Sequence, residues 1–352
     1  MANGFIKVGN KILSINSGNI LSENMIAYNY ILNMAERAKL PFTELEELSK
    51  DYTFKQVASI SSGNDEANYY GDFWTLAHYA GIPMMNLPPR NFSIQHGLIT
   101  ELTQFDKNRA KGDCLVWSKP IEEKTRLEGA GFVAAVGSPF FYAEPLLSEE
   151  EICLEKKRLG RNLLAFPMHS THFINTDYDP CNFLQILKKE KDRFDTVRVC
   201  LYWKDIQRGR AKFYQDAGFE VVCSGHIFDQ FFLQRQKTLF AICDATISNG
   251  FGSHLGYSIS MMKPHCLIPD DYTRADVQGI YGQEEMRKLN MITSSPEHRD
   301  IINAFLNNWN YDITEIQRVI VDKWWGLSCI RQRDELKDMI LNRYVIRGGY
   351  SL

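Results

Sequence analysis

Four short segments of the chain place histidine, serine, lysine or glycine directly after a predicted strand. Their residues are His169 and Ser170; Lys204 and Arg208; Gly225 and His226; and Ser248, Asn249, Gly250, Gly252, Ser253 and His254. The carboxyl ends of parallel strands meet at one edge of a sheet, and open α/β sheets bind their ligands there. We therefore expect these four segments to form one ligand site, although each of them alone is an ordinary feature.

The last segment, 248–254, has the composition of a phosphate-binding turn. Gly250 and Gly252 let the backbone approach a ligand closely, and Ser253 is expected to cap the helix that follows. Unpaired N–H groups at the start of a helix favour a phosphate. The glycine spacing is neither a dinucleotide GxGxxG motif nor a Walker motif. The alternative is an ordinary glycine-rich turn between a strand and a helix.

In the first half of the chain, His96 ends a predicted strand and is followed by Gly97. A histidine in this position can project into a cleft and act as a general base near neutral pH. Glu101 and the pair Asp65-Glu66 are alternative bases. A structural histidine in a turn is the other interpretation of His96.

A metal centre has little support in the sequence. His169 and His172 are three residues apart, and Asp177 and Asp179 follow, but the HExxH arrangement of a zinc protease is absent. We therefore expect neither a metal ion nor a cofactor.

The composition is that of a globular protein without a basic field. Of the 352 residues, 44% are hydrophobic and 24% are charged, which is ordinary for globular chains, and the formal net charge is −3. A chain with this charge does not attract a polyanion as a whole, so we expect no nucleic-acid partner. The eight cysteines are dispersed without a CxxC pair, which favours reduced thiols in a reducing compartment.

The sequence also predicts where the protein resides. Its first residues lack the charged and apolar regions of a signal peptide, and no apolar stretch approaches the roughly 18 residues of a membrane-spanning helix. We expect a cytoplasmic protein. A peripheral contact with the inner face of the membrane is compatible with this expectation.

Strands and helices alternate through the second half of the chain. The predicted strands are 162–166, 196–202, 219–223, 245–248 and 265–268, and the predicted helices are 182–191, 205–217, 230–241 and 253–262. This alternation predicts a doubly wound parallel sheet.

The first half of the chain is less regular. Its predicted strands are 56–60, 92–95, 113–117 and 132–136, its predicted helices are 22–39, 69–80, 121–128 and a capped helix near 148–158, and residues 6–20 are expected to be irregular. The length favours two domains. We predict an N-terminal domain over residues 1–150, a C-terminal domain over 151–300 and a helical tail over 301–352.

Three groups of residues resemble landmarks of bacterial surface-polysaccharide glycosyltransferases. They are Gln95-His96-Gly97 with Val116-Trp117 and Gly137-Ser138-Pro139; Phe166-Pro167-Met168-His169-Ser170; and the run 244–254 followed by Met262-Lys263-Pro264. The likeness covers roughly residues 90–270. It implies the GT-B architecture, in which two Rossmann-like domains face a cleft.

Among these enzymes the landmarks are most similar to transferases that use CMP-activated nonulosonic acids, such as sialic, pseudaminic or Kdo-type sugars. By this resemblance His169 and Ser170 contact the donor nucleotide or its phosphate, and Gly225 and His226 lie by the base. The segment 248–254 cradles the phosphate, with Lys204 or Arg208 stabilising its charge. His96 lies nearest the reacting carbon.

The expected function is therefore a metal-independent transfer of a sugar from a nucleotide donor to a glycan or lipid-linked acceptor in surface polysaccharide biosynthesis. The resemblance implies that the sugar is a nonulosonic acid, such as sialic or pseudaminic acid, and that the donor is its CMP derivative. Two alternatives stay open within the same fold: a CDP-polyol phosphotransferase and a nucleotide-sugar epimerase. A third is a non-catalytic carbohydrate-binding protein with a degenerate transferase fold. Activation by CMP follows from the resemblance, whereas phosphate binding follows from the physics of a helix start.

Overall fold

The structure is a computed structural model that describes residues 4–8, 11–15, 35–50, 69–82, 92–103, 106–107, 112–129, 131–171, 174–276, 279 and 295–347. Residues 35–38 are helical, as expected at the end of the predicted helix 22–39. The rest of that helix, the predicted strand 56–60 and the alternative bases Asp65 and Glu66 lie outside the described residues.

The described strands are β1 (Gly4–Val8), β2 (Lys11–Ile15), β3 (Phe92–Ile94), β4 (Asp113–Val116), β5 (Val133–Ala135), β6 (Asn162–Phe166), β7 (Ile174–Tyr178), β8 (Thr196–Cys200), β9 (Glu220–Val222), β10 (Ala245–Ser248), β11 (His265–Leu267) and β12 (Tyr272–Asp276).

The described helices are α1 (Leu45–Ser49), α2 (Asp72–Tyr79), α3 (Lys119–Leu127), α4 (Glu149–Leu159), α5 (Pro180–Glu190), α6 (Trp203–Gln207), α7 (Arg210–Asp216), α8 (Phe232–Ile242), α9 (His254–Ser260), α10 (Pro296–Phe305), α11 (Glu315–Trp325) and α12 (Arg333–Arg347). Short 3₁₀ turns occupy Pro139–Tyr142 and Leu327–Cys329.

The second half is built on a five-stranded parallel sheet with the order β11-β10-β6-β8-β9. The chain runs outward from β6 to β9 and then returns to the other side of β6 to add β10 and β11. Its strand order therefore reverses between β6 and β10, as in Rossmann-like sheets. This confirms the predicted α/β class and the parallel sheet. The predicted strands 162–166 and 245–248 match β6 and β10 residue for residue.

Helices cover both faces of this sheet, and β6 directs its apolar side chains alternately to one face and the other. Leu163 and Ala165 belong to a core with residues of α5 and α7. Leu164 and Phe166 belong to a second core with residues of α8 and α9. A strand buried on both faces is a continuous apolar run, which is why the sequence predicted it accurately.

A smaller parallel sheet, β3-β4-β5, forms the first half. Buried Gln95 fixes the carboxyl ends of β3 and β4 together. Its side-chain oxygen accepts a hydrogen bond from the Trp117 backbone N–H at 2.9 Å, and its carbonyl accepts one from the Trp117 indole at 2.7 Å. Residues 6–20 were expected to be irregular, but β1 and β2 pair in antiparallel orientation.

Two further expectations required correction. The predicted helix 205–217 is divided into α6 and α7 at Gly209, whose φ of 80° lies in the left-handed region. The antiparallel ribbon of β7 and β12 was not predicted. In contrast, α4 is a capped helix as expected, since Ser148 and Glu151 form a capping box. The tail is mostly helical as predicted. Within the described parts of the chain, no helix combines the length and apolarity needed to cross a bilayer.

The two sheets and the tail share one hydrophobic core. Trp117, Phe140, Tyr257 and Trp325 belong to it, and the rings of Phe140 and Tyr257 stack with their centroids 4.0 Å apart. Shared packing of this kind couples the two halves mechanically. The division of the chain at residues 150 and 300 stays a prediction.

Gly256 of α9 permits the closest of these contacts. A Cβ at this position would lie 2.3 Å from Cδ2 of Trp325, which is fully buried. We expect Gly256→Ala to lower the free energy of unfolding by about 1–3 kcal/mol, because the core must shift to admit the methyl group. Ser260→Ala, on the same helix but half-buried, should change it by less than about 0.5 kcal/mol. Chemical denaturation measures both, and an unchanged stability of Gly256→Ala would contradict this packing.

Candidate active site

The loops that follow the parallel strands contact each other in the order of the strands in the sheet. The Met168 backbone N–H, after β6, donates to Asn249 Oδ1, after β10, at 2.6 Å. The rings of His169 and Tyr202, after β6 and β8, have centroids 4.7 Å apart. Trp203 and His226, after β8 and β9, approach to 4.0 Å. The structure thus brings the predicted site loops together at one edge, which includes the reversal point between β6 and β10.

Asn249 holds three of these loops together. Besides accepting from Met168, its side-chain amide donates to Asp270 Oδ2 at 3.0 Å, and its carbonyl accepts from the Asp270 N–H at 3.2 Å. Asp270 follows β11. The Asn249 side chain is fully buried and bonded at both ends, so its role in the structure is to position the site loops.

Ser170 and Arg208 belong to a polar network that fastens the β7–β12 ribbon to the sheet. Ser170 Oγ donates to Asp205 Oδ1 at 2.9 Å and accepts from Arg208 Nη1 at 2.8 Å. Arg208 also donates to Asp177 Oδ1 at 2.6 Å, and Arg210 approaches Asp205 Oδ1 to 2.9 Å. The hydrogen bond from Arg208 lowers the pKa of the Asp177 carboxyl below its ordinary value. Two arginines therefore balance two aspartates, and Ser170 is fully buried among them.

A hydrogen bond within the segment 248–254 fixes part of its conformation. Ser248 Oγ donates to the Gly250 carbonyl at 3.0 Å and lies 3.0 Å from His265 Nε2. The predicted side-chain cap by Ser253 is wrong: Ser253 already has helical dihedral angles, and its Oγ accepts from the Leu98 N–H at 3.1 Å. The serine is therefore used to join the two halves of the chain.

Two buried histidines, His254 at the end of this segment and His265 of β11, lie close together. His254 stacks on Phe166 at 4.9 Å, and His265 lies 5.4 Å from it. Burial lowers the pKa of His254 well below its ordinary value, with smaller contributions from His265 and His169. Burial also lowers the pKa of His265 to about 3. Both rings are neutral at physiological pH, so neither supplies a positive charge to a phosphate.

Gly225 and His226 are buried rather than exposed at the edge. His226 is 1% exposed, and its Nδ1 accepts from the Phe228 N–H at 3.3 Å. Behind this loop, Asp229 binds Arg235 at 2.9 Å and Arg37 at 2.8 Å. Burial alone would raise the pKa of Asp229, but the two arginines outweigh it and hold the pKa below its ordinary value. This cluster carries one net positive charge close to the loop.

Aromatic residues link the two halves across the site. His96 packs edge-on against Tyr69 at 4.8 Å and lies 6.5 Å from Tyr70. The hydroxyls of Tyr70 and Tyr202 are 3.1 Å apart and share a hydrogen bond in which either hydroxyl can be the donor. Burial raises the pKa of Tyr70 to about 12 and that of Tyr202 well above its ordinary value, so both hydroxyls stay protonated.

Glu101 and Lys204 have different surroundings. Glu101 forms a salt bridge with Lys124 of α3, so its carboxylate is partly neutralised. Lys204 lies in the first turn of α6, directly after β8, with its ammonium group 5.8 Å from the Trp203 ring. Within the described residues, no group of three or more His, Cys, Asp or Glu side chains is placed to hold a metal ion. His172 lies outside that part of the chain.

The aromatic link was missed in the sequence because the strand after Thr196 was predicted to continue through Tyr202. It ends at Cys200, so Tyr202 belongs to the loop at the carboxyl edge. Tyr69 and Tyr70, which were predicted to begin a helix, lie in a 3₁₀ turn that leads into α2, and Tyr69 faces the second half, where it lies 5.5 Å from Phe228. The signal for this link in the sequence was the pair of adjacent tyrosines, Tyr69 and Tyr70, at the start of a predicted helix.

Comparison with known proteins does not identify the chain. No protein-family model matches it, and no curated protein matches it significantly. Its function must therefore be inferred from the residues and their geometry.

The sequence offered Lys204 and Arg208 as alternative contacts for the phosphate. In the structure, Arg208 belongs to the hydrogen-bond network around Ser170. We expect Arg208→Ala to lower the free energy of unfolding by about 1–3 kcal/mol, because it leaves buried Ser170 and Asp205 with fewer partners. Lys204→Ala should weaken the binding of a phosphate-bearing ligand about tenfold. Denaturation of Arg208→Ala and ligand titration of Lys204→Ala test this. Unchanged stability of Arg208→Ala or unchanged ligand affinity of Lys204→Ala would contradict the division of roles.

Proposed function

We propose that this chain is a GT-B-type glycosyltransferase that moves a sugar from a nucleotide donor to a glycan or lipid-linked acceptor. The donor binds at the carboxyl edge of the five-stranded sheet, and the acceptor binds on the side of β3-β4-β5. The resemblance of the sequence favours a CMP donor carrying a nonulosonic acid.

The observation that carries this proposal is the arrangement of two parallel sheets around one set of loops. The segment after β10 meets the segment after β3 through the hydrogen bond from Leu98 to Ser253. The loop after β8 meets the first half through the Tyr70–Tyr202 pair. Ligands of open α/β sheets bind outside the carboxyl ends of the strands at the reversal of strand order, and here the loops after β6 and β10 flank that reversal.

The residues of this edge suit transfer from a phosphate leaving group. The acceptor oxygen forms a bond to the anomeric carbon while the bond from that carbon to the donor phosphate breaks. His96 accepts the proton of the acceptor hydroxyl, and the electron pair of the broken bond leaves with the phosphate. In this proposal, Lys204 and the Tyr70 hydroxyl, which keeps its proton, stabilise the charge that develops on the phosphate.

Nucleotide binding is the first test of the proposal. We expect one of CMP, CDP, UDP and GDP, and by resemblance CMP, to raise the melting temperature. A ligand at 100 times its Kd stabilises the native state by about 2.7 kcal/mol. Differential scanning fluorimetry at millimolar nucleotide measures the shift. If none of the four nucleotides changes the melting temperature, the proposal loses its basis.

His96 is expected to take part in the chemical step. His96→Ala should lower kcat by about 10²- to 10⁴-fold, the usual contribution of a general base, while leaving nucleotide affinity nearly unchanged. His78→Ala, which changes an exposed histidine on α2, is the matched control and should retain full activity. Product formation with a CMP-sugar and a glycan acceptor measures both. Full activity of His96→Ala would assign the base elsewhere, first to Glu101.

A further inference from the structure

His254, the first residue of α9, has a buried ring nitrogen to which no described residue bonds. The residue is 8% exposed, and its ring donates a hydrogen bond to the backbone of Gly250. Among the residues that the structure describes, none bonds to its Nε2. The nitrogen that donates to Gly250 is therefore Nδ1, and Nε2 carries a lone pair that can only accept.

The His254 ring contacts Phe166 and lies close to Gly252. Phe166 stacks on one face, with an interplanar angle of 15°, and the centroid of the His265 ring is 5.4 Å away. An ideal Cβ at Gly252 would lie 2.8 Å from both Nδ1 and Cε1 of the ring. Gly252 is itself half-buried, so a ligand that rests on this glycine lies beside Cε1, the atom bonded to Nε2.

Nε2 of His254 suits a different ligand group from the phosphate that was expected to bind the segment 248–254. Phosphate oxygens accept hydrogen bonds, and a neutral imidazole nitrogen with a lone pair does not bind them. It requires a donor, and the donors that a nucleotide-sugar offers most often are hydroxyl groups of the ribose or of the sugar. A buried acceptor without a donor is unfavourable, so a ligand hydroxyl in this place contributes to affinity.

We propose that Nε2 of His254 accepts a hydrogen bond from a hydroxyl group of the bound nucleotide-sugar. The segment 248–254 then recognises a hydroxyl through His254, while backbone and Lys204 are left to contact the phosphate. This inference rests on the proposed function and assigns the specificity of the same site.

A thermodynamic cycle tests the inference. Titration calorimetry compares CMP, 2′-deoxy-CMP, 3′-deoxy-CMP and CMP-sialic acid on the wild-type protein and on His254→Phe, which keeps an aromatic ring on Phe166. We expect His254→Phe to weaken CMP or CMP-sialic acid about tenfold. If the hydroxyl is on the ribose, one deoxy analogue binds both proteins equally; if it is on the sugar, only CMP-sialic acid loses affinity. His78→Phe is the matched control.

The tautomer of His254 provides a second measurement that needs no variant. In ¹⁵N-labelled wild-type protein, the His254 Nε2 resonance should have the chemical shift of an unprotonated nitrogen and should move when CMP or CMP-sialic acid binds. A protonated Nε2 in the protein alone overturns the inference, as does equal binding of all four ligands by wild type and His254→Phe. If no nucleotide binds the wild type, the proposed function fails first and the inference fails with it.

Discussion

Trp325 makes the contact on which the arrangement of the site depends. Its indole N–H donates to the Ser253 carbonyl at 2.9 Å, its own carbonyl accepts from the Ser138 N–H at 2.9 Å, and its ring lies against Gly256. One buried residue from the helical tail thus fixes both the start of α9 and the end of β5. The segment 248–254 takes its position from this contact, and so does the side of the first sheet that it faces.

Much of the fold could be predicted because its parallel strands are short apolar runs separated by helices. β6 and β10 were predicted to the residue, since burial on both faces makes their sequences unambiguous. The ribbon of β7 and β12 could not be predicted in this way. Its strands pair across about a hundred residues, and one of them is fastened by Arg208 and Arg210 to Asp177. Neither contact leaves a local pattern in the sequence.

The location of the candidate site was predictable, whereas the role of each residue was not. The rule that ligands bind at strand ends selected loops that contact each other in the structure, because it depends only on topology. Ser170, Arg208 and Ser253 are nevertheless occupied by neighbours that are distant in the sequence. A serine or arginine at a strand end has the same sequence signature whether it meets a ligand or another loop. Only the structure distinguishes these cases.

The histidines of the site differ in burial, and burial determines whether each can exchange a proton. His226, His254 and His265 are more than nine-tenths buried, and burial keeps the last two neutral, so they orient groups through fixed hydrogen bonds. His96 and His169 are partly exposed and lie on opposite sides of the Tyr70–Tyr202 pair. A residue that takes up and releases a proton must exchange it with solvent or substrate. In the proposed function, proton transfer is therefore confined to the partly exposed histidines, and recognition of the ligand falls to the buried ones.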